Sequence, residues 1–188
     1  MKIAIGCGEK IPRGFIGCDI RKELGVEYVC NCWELDTLVA DGSVEEIYSR
    51  MMFEHVTFAQ GRKTLRSWKK ILKRGGTVRL IVPDLHYAVK EYLEWYDRRT
   101  VSGIRGRKRM IMPGFEHAVA CLFGCQRGGS IDPARPYTSN FTCDDDLWDV
   151  HKSGYDEVSL QKVVEDCGFI NFRRNPAAPW ELDVNFEK

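Results

Sequence analysis

Lys2-Ile-Ala-Ile-Gly-Cys-Gly8, followed by Gly14-Phe-Ile-Gly-Cys-Asp19-Ile, sets the fold of this chain. An apolar run enters a tight glycine turn, and a second short apolar run ends on an acid. In an α/β sheet, such a turn lets a ligand lie against the backbone at the strand's carboxyl end. A carboxylate closing the next strand can then accept hydrogen bonds from a pair of ribose hydroxyls. The pattern suits an adenosine-containing ligand. It is not the nicotinamide-dinucleotide pattern, which needs a third glycine opening a helix and an acid about 20 residues on. Here no third glycine stands at that offset, and Asp19 follows Gly8 by only eleven residues.

Outward from this stretch, strands are expected at Ile3 to Ile5, Phe15 to Cys18, Glu27 to Cys30 and Val44 to Ser49, with a loop or helical turn at Leu35 to Leu38. Gln60 to Lys73 reads as an amphipathic helix, with Leu65, Trp68, Ile71 and Leu72 at helical spacing and basic residues opposite. Arg74-Gly75-Gly76 is expected to end it, and Thr77 to Val82 is the clearest strand, stopped by Pro83. A helix is expected from His86 to Asp97 and another from Glu157 to Cys167, capped by Gly168. Strands near Ile170 to Arg173 and Leu182 to Phe186 close the chain as a hairpin. Alternation of this kind predicts an α/β, Rossmann-like, doubly wound fold. The expectation is one domain over residues 1–188: a mostly parallel seven-stranded sheet in a three-layer arrangement, with an antiparallel C-terminal hairpin strand. The alternation breaks over about residues 84–155, where a long irregular stretch reads as a lid or substrate-binding insertion.

At 188 residues and 44% hydrophobic, the chain suffices for one well-buried domain. Lys plus Arg (28) nearly balances Asp plus Glu (27), so net charge favours no class of partner. No apolar run reaches the roughly 20 residues that span a bilayer. The first residues enter a strand without a basic-then-apolar leader, so a cytoplasmic protein is expected. Eight cysteines are many, yet no Cys-x-x-Cys occurs, and Cys18, Cys30 and Cys167 sit in apolar runs as packed, reduced thiols would. His117, Cys121 and Cys125 fall at i, i+4, i+8 without an evident fourth ligand, and Asp144-Asp145-Asp146 reads as a solvated run. No metal site is assigned.

Six motifs occur in order: Lys2-Ile-Ala-Ile-Gly-Cys-Gly8, Gly17-Cys-Asp19-Ile, Ser43-Val-Glu-Glu-Ile-Tyr48, Phe53-Glu-His-Val56, Ile71-Leu-Lys-Arg-Gly-Gly76 and Val78-Arg-Leu-Ile-Val-Pro-Asp-Leu85. Together they resemble the class I S-adenosylmethionine-dependent methyltransferases, in particular the small type 11 group. Trp148-Asp-Val-His-Lys-Ser-Gly-Tyr155 and the helix after it resemble that group's C-terminal part. Each motif is loose; six in register are specific. The resemblance implies S-adenosylmethionine as cofactor and S-adenosylhomocysteine as product. It places the backbone of Gly6, Cys7 and Gly8 beneath the cofactor's amino-acid part and gives Asp19 both ribose hydroxyls. Asn31 stands where the family usually has an acid near the adenine amino group; Cys32 and Trp33 follow, and Trp33 would cover the purine. Ser49 and Arg50 match positions approaching the methionine part.

Methyl transfer from a sulfonium is an in-line displacement on an activated donor, so alignment does most of the work. A hydroxyl or protonated nitrogen as acceptor benefits from a general base. The candidates are His55, His86 and His151, with Asp84 as a carboxylate option. The expected acceptor is a small molecule, a sugar or a polysaccharide precursor, methylated on oxygen or nitrogen. Two alternatives stand beside this: an inactive relative serving as a binding or regulatory subunit, and a nucleic-acid methyltransferase using the basic 98–109 segment (Arg98, Arg99, Arg105, Arg107, Lys108, Arg109). Against the latter, Arg50-Met-Met-Phe stands where base-methylating enzymes carry an Asn/Asp-Pro-Pro-aromatic motif.

Overall fold

Strands and helices alternate in the computed structural model of the protein, which describes residues 1–102, 121–123 and 150–188, and of residues 95 and 98–102 the backbone alone. The elements are β1 (Lys2–Ile5), β2 (Ile16–Asp19), β3 (Val26–Val29), β4 (Val44–Arg50), α1 (Phe58–Ile71), β5 (Leu72–Pro83), α2 (Leu85–Ser102), α3 (Glu157–Asp166), β6 (Ile170–Arg174) and β7 (Glu181–Glu187). Short 3-10 turns occupy Leu35–Thr37 and Phe53–His55. One seven-stranded sheet has the order β3-β2-β1-β4-β5-β7-β6. The first five of these neighbours pair in parallel, and β7 runs antiparallel to both β5 and β6.

Ile3, Ala4 and Ile5 are all buried, although successive strand residues point to opposite faces. Both faces at the sheet's centre are therefore covered, as a parallel sheet requires. The chain leaves β1 towards β2 on one side, and β4 joins on the other. This reversal opens a crevice at the carboxyl ends of β1 and β4, where open α/β sheets bind ligands.

Helix α1 begins with a capping box in which the Thr57 side chain accepts from the Gln60 N–H and the Gln60 side chain accepts from the Thr57 N–H. Gly61, Thr64, Leu65, Trp68 and Ile71 form its buried face. Trp68 is fully buried, 6.0 Å centroid to centroid from Phe53. The helix stops two residues before the expected Lys73, and β5 starts at Leu72 rather than Thr77. Leu72 is extended (φ −66, ψ 140), fully buried and paired with Val44. The helix's last carbonyls find donors elsewhere: the Gly42 N–H reaches the Lys70 carbonyl at 3.1 Å, and Lys188 Nζ reaches that of Leu72 at 2.6 Å. Burial of one leucine and these outside donors outweigh the local signal of Gly75-Gly76.

At the other end, Asp156 caps α3 through the Ser159 N–H, and Gly168 (φ +82) follows the helix. The expected insertion falls largely on residues 103–120 and 124–149. His117, Cys125, Asp144-Asp145-Asp146 and the basic side chains of 98–109 lie outside the described residues. No helix among the described residues is long and apolar enough to cross a membrane.

Candidate functional site

The turn after β1 is shaped by Gly6. Its N–H donates to the Cys18 carbonyl at 2.8 Å, and its φ of +67 is left-handed. A Cβ there would stand 2.2 Å from Met52 Cγ, so no larger residue fits without displacing the 50–52 loop. Gly8 (φ +50) turns its N–H to Asp19 Oδ2 at 2.8 Å, which ties the turn to the end of β2. Cys7 Sγ lies 3.6 Å from the Cys18 carbonyl.

A pocket opens beside this turn, walled by Gly6, Asp19, Asn31, Cys32 and Trp33 from the ends of β1, β2 and β3. On its other side it is closed by Met51, Met52, His55, Gln60 and Lys152. Asp19 is 5% exposed; its Oδ1 accepts from the Arg21 N–H at 2.9 Å and from Arg21 Nε at 3.3 Å. A carboxylate has about four acceptor positions. A diol taking both oxygens would displace the Nε contact, which is long and made by a half-exposed side chain. Asn31 donates its amide to Glu34 Oε2 at 2.9 Å, which leaves Oδ1 as the acceptor. Cys32 is buried 3.3 Å from Thr64 Oγ1, and burial pushes its thiol up to about 11. That sulfur is wall, not nucleophile.

A second depression, on the β4 side of the turn, is lined by Gly6, Cys7, Lys10, Tyr48 and Arg50. Arg50 also donates to Glu181. Ser49 lines neither cavity; it is fully buried, with no hydrogen-bond partner for its hydroxyl among the described residues.

The four candidate bases separate. His55 lines the pocket, and His151 packs against it with ring centroids 5.0 Å apart. Asp84 and His86 line neither cavity. Asp84 Oδ1 accepts from the backbone N–H groups of His86 and Tyr87 at 3.0 and 3.3 Å, capping α2, and Oδ2 accepts from Arg174 at 2.8 Å. Its carboxylate is occupied as a structural cap. His86 is exposed on the first turn of that helix.

The histidine pair is assembled by a returning segment. The N–H groups of Lys152 and Ser153 donate to the Glu54 carbonyl at 2.8 and 3.1 Å, and Tyr155 packs on Phe53 and Phe58 with both centroid separations 5.4 Å. Nδ1 of His55 lies 3.3 Å from the Val150 carbonyl, and Nδ1 of His151 lies 2.9 Å from that of Cys121. Glu54 and Lys152 stand within the motifs Phe53-Glu-His-Val56 and Trp148-Asp-Val-His-Lys-Ser-Gly-Tyr155, but sequence alone assigned neither of them a role in the site. Glu54 is 2% exposed, and neither carboxylate oxygen has a hydrogen-bond partner among the described residues. Burial pushes its carboxyl up to about 8. An acid set among Met51, Met52, Phe53 and Val56 was the available signal. For Lys152 the signal was only its place in the Trp148–Tyr155 motif, because it enters the pocket from a segment remote in sequence.

No family model and no curated protein sequence matches the chain. Solved structures do. An S-adenosylmethionine-dependent methyltransferase from Thermotoga maritima superposes with TM-score 0.57 at 13% identity, over 100% of this chain and 81% of that one. One from Archaeoglobus fulgidus gives TM-score 0.56 at 11% identity, over 100% and 85%. The 1,6-didemethyltoxoflavin-N1-methyltransferase of Burkholderia thailandensis, solved with its substrate and S-adenosylhomocysteine, gives 0.52 at 12%, over 99% and 68%. The chain has the class I S-adenosylmethionine-dependent methyltransferase fold.

Proposed function

We propose that the chain binds S-adenosylmethionine in the pocket at the ends of β1, β2 and β3 and transfers its methyl group to a small-molecule or saccharide acceptor. One observation carries this reading: Asp19, Asn31 and Trp33, from successive strand ends, line the same pocket as His55. The residues present fit such a cofactor. Gly6 provides a backbone surface that a side chain would fill, Asp19 offers a buried carboxylate for a diol, and Asn31 offers a carbonyl acceptor beside the indole of Trp33.

The cofactor supplies an electrophilic methyl on a cationic sulfur. The chain's task is to hold an acceptor oxygen or nitrogen in line with it, where alignment alone can lower the barrier by up to about 7–11 kcal/mol. His55, on the pocket wall with Nδ1 against the Val150 carbonyl, is placed to take the acceptor's proton at Nε2. His151 and Lys152 stand beside it, and the 84–155 insertion would grip the acceptor.

Isothermal calorimetry with S-adenosylhomocysteine tests the proposal. Expected is one binding site in the wild type and a loss of affinity of about a hundredfold in Asp19→Ala, which removes charged hydrogen bonds of about 1.5–3 kcal/mol each. No heat from folded protein at millimolar ligand would refute the cofactor reading. Binding without turnover on any hydroxyl or amine acceptor would leave a binding protein of the same fold.

A further inference from the structure

Among the described residues, one cluster of ligand-type side chains extends from His55 on the pocket wall into the protein. Glu54, His55 and His151 each place a ligand-type atom within 4.8 Å of the other two. The carboxylate of Glu54 is almost fully buried, and neither oxygen has a hydrogen-bond partner among the described residues. His151 Nε2 stands 4.0 Å from Glu54 Oε1, beyond hydrogen-bond distance. A buried carboxylate without donors costs several kcal/mol when ionised, unless a cation accompanies it.

We infer that Glu54, His55 and His151 form a binding site for one divalent first-row transition ion, such as Zn²⁺, at the wall of the pocket. Two imidazoles and one carboxylate are a donor set that suits Zn²⁺, Fe²⁺ and their neighbours, and three protein ligands leave a coordination position open. Both imidazoles are also already oriented. With Nδ1–H directed to the carbonyls of Val150 and Cys121, the tautomer that presents Nε2 as ligand is favoured, which is the usual outer arrangement of metal-binding histidines. Ligand atoms around such an ion lie roughly 3–3.5 Å apart for bonds of about 2.0–2.2 Å. Closing the 4.0 Å gap between Glu54 and His151 asks for about an ångström or less, and the other pairs, within 4.8 Å, for up to about 1.8 Å, within the reach of side-chain torsions.

His55 belongs both to the cluster and to the pocket wall, so the open coordination position lies next to the pocket. With the ion bound, Nε2 of His55 is a ligand and no longer the base; an acceptor oxygen entering the pocket would instead take the open position and have its pKa lowered there. The ion site itself rests on the three side chains and stands whether or not the cofactor reading holds.

The test titrates chelator-treated full-length protein with Co²⁺, followed by visible d–d absorption, and with Zn²⁺, followed by calorimetry. Expected is one equivalent bound at the site, no sulfur-to-cobalt charge-transfer band, and a rise in Tm with ion concentration. Glu54→Gln, His55→Gln and His151→Ala should each weaken binding about tenfold or more. Glu54→Gln keeps the buried volume, and half-buried His55→Gln remains informative if His151→Ala misfolds. Absence of d–d bands from folded wild type at millimolar Co²⁺ overturns the inference. So do unchanged affinity in the variants or a charge-transfer band that assigns the ion to cysteines. S-adenosylhomocysteine binding, measured separately, reports the cofactor site, so either reading can fail alone.

Discussion

The carboxylate of Glu54 and the imidazole of His151 face each other at 4.0 Å with 2% and 9% of their side chains exposed, though almost a hundred residues separate them in the chain. Two backbone hydrogen bonds from Lys152 and Ser153 to the Glu54 carbonyl create this relationship. The tie holds the return of the chain against the 3-10 turn after β4. It is also what places Lys152 in the pocket wall. Replacing Glu54 by glutamine removes a buried acid that lacks a donor while leaving both backbone ties. Ion-free Glu54→Gln protein is expected to be at least as stable as wild type at pH 7, and a Tm lower by several degrees would contradict this.

Gly6→Ala should destabilise the protein and cripple the pocket together. The new Cβ meets Met52 Cγ at 2.2 Å and the residue must keep a φ of +67, each unfavourable in its own right. A loss of about 2 kcal/mol is expected in urea unfolding. Met52→Ala should recover little, because Met52 Cβ itself lies 2.4 Å from the new Cβ, whereas Met52→Gly should recover the part due to the clash and none of the part due to φ, so that double variant will be non-additive. Full additivity would show that the 50–52 loop does not rest on the turn.

Asp183 sets a pH dependence. Its burial alone would raise the carboxyl, but hydrogen bonds from Arg79 and Asn175 outweigh burial and hold it below the usual carboxylate range. A group depressed in the folded state contributes stability that is fully present above its unfolded value near 3.8 and is lost as pH falls through the lower folded value. Arg79 is 47% exposed, so the effect is screened and about 1 kcal/mol is expected. Urea midpoints should fall more steeply below pH 4 in wild type than in Asp183→Asn. Parallel curves would remove Asp183 from the account.

Most of the sheet was legible because each strand is short, apolar and punctuated by Gly, Pro or Asp, and every expected strand forms within a few residues of its place. The α1–β5 boundary was not. Gly75-Gly76 looks like a helix stop, whereas the helix is ended earlier by the burial of Leu72 and by donors from Gly42 and Lys188, which local sequence does not reveal. That Gly6, Asp19 and Asn31 would share one pocket wall could be read for the same reason, since they sit at element boundaries. In the rest of the site His55 and His151 stood out singly as candidate bases, but their pairing did not: Glu54, His151 and Lys152 meet only through tertiary hydrogen bonds, and Asp84 looks like a base until its cap and ion pair are seen.

Asp84 and His55 therefore separate a structural from a chemical role. Asp84→Ala removes the α2 cap and leaves Arg174 with Glu157 alone, so a loss of about 1–3 kcal/mol is expected. Because Asp84 lines neither cavity, S-adenosylhomocysteine affinity should change by less than about threefold, under 1 kcal/mol. His55→Gln should do the opposite: Tm within a few degrees of wild type, cofactor affinity retained, and methyl transfer to a hydroxyl acceptor down by about 10²–10⁴, the usual contribution of a general base. The pH profile of the residual activity should also lose the limb that His55 contributes. If Asp84→Ala instead abolished transfer in folded, cofactor-binding protein, the base would have to be sought at the end of β5 rather than on the pocket wall.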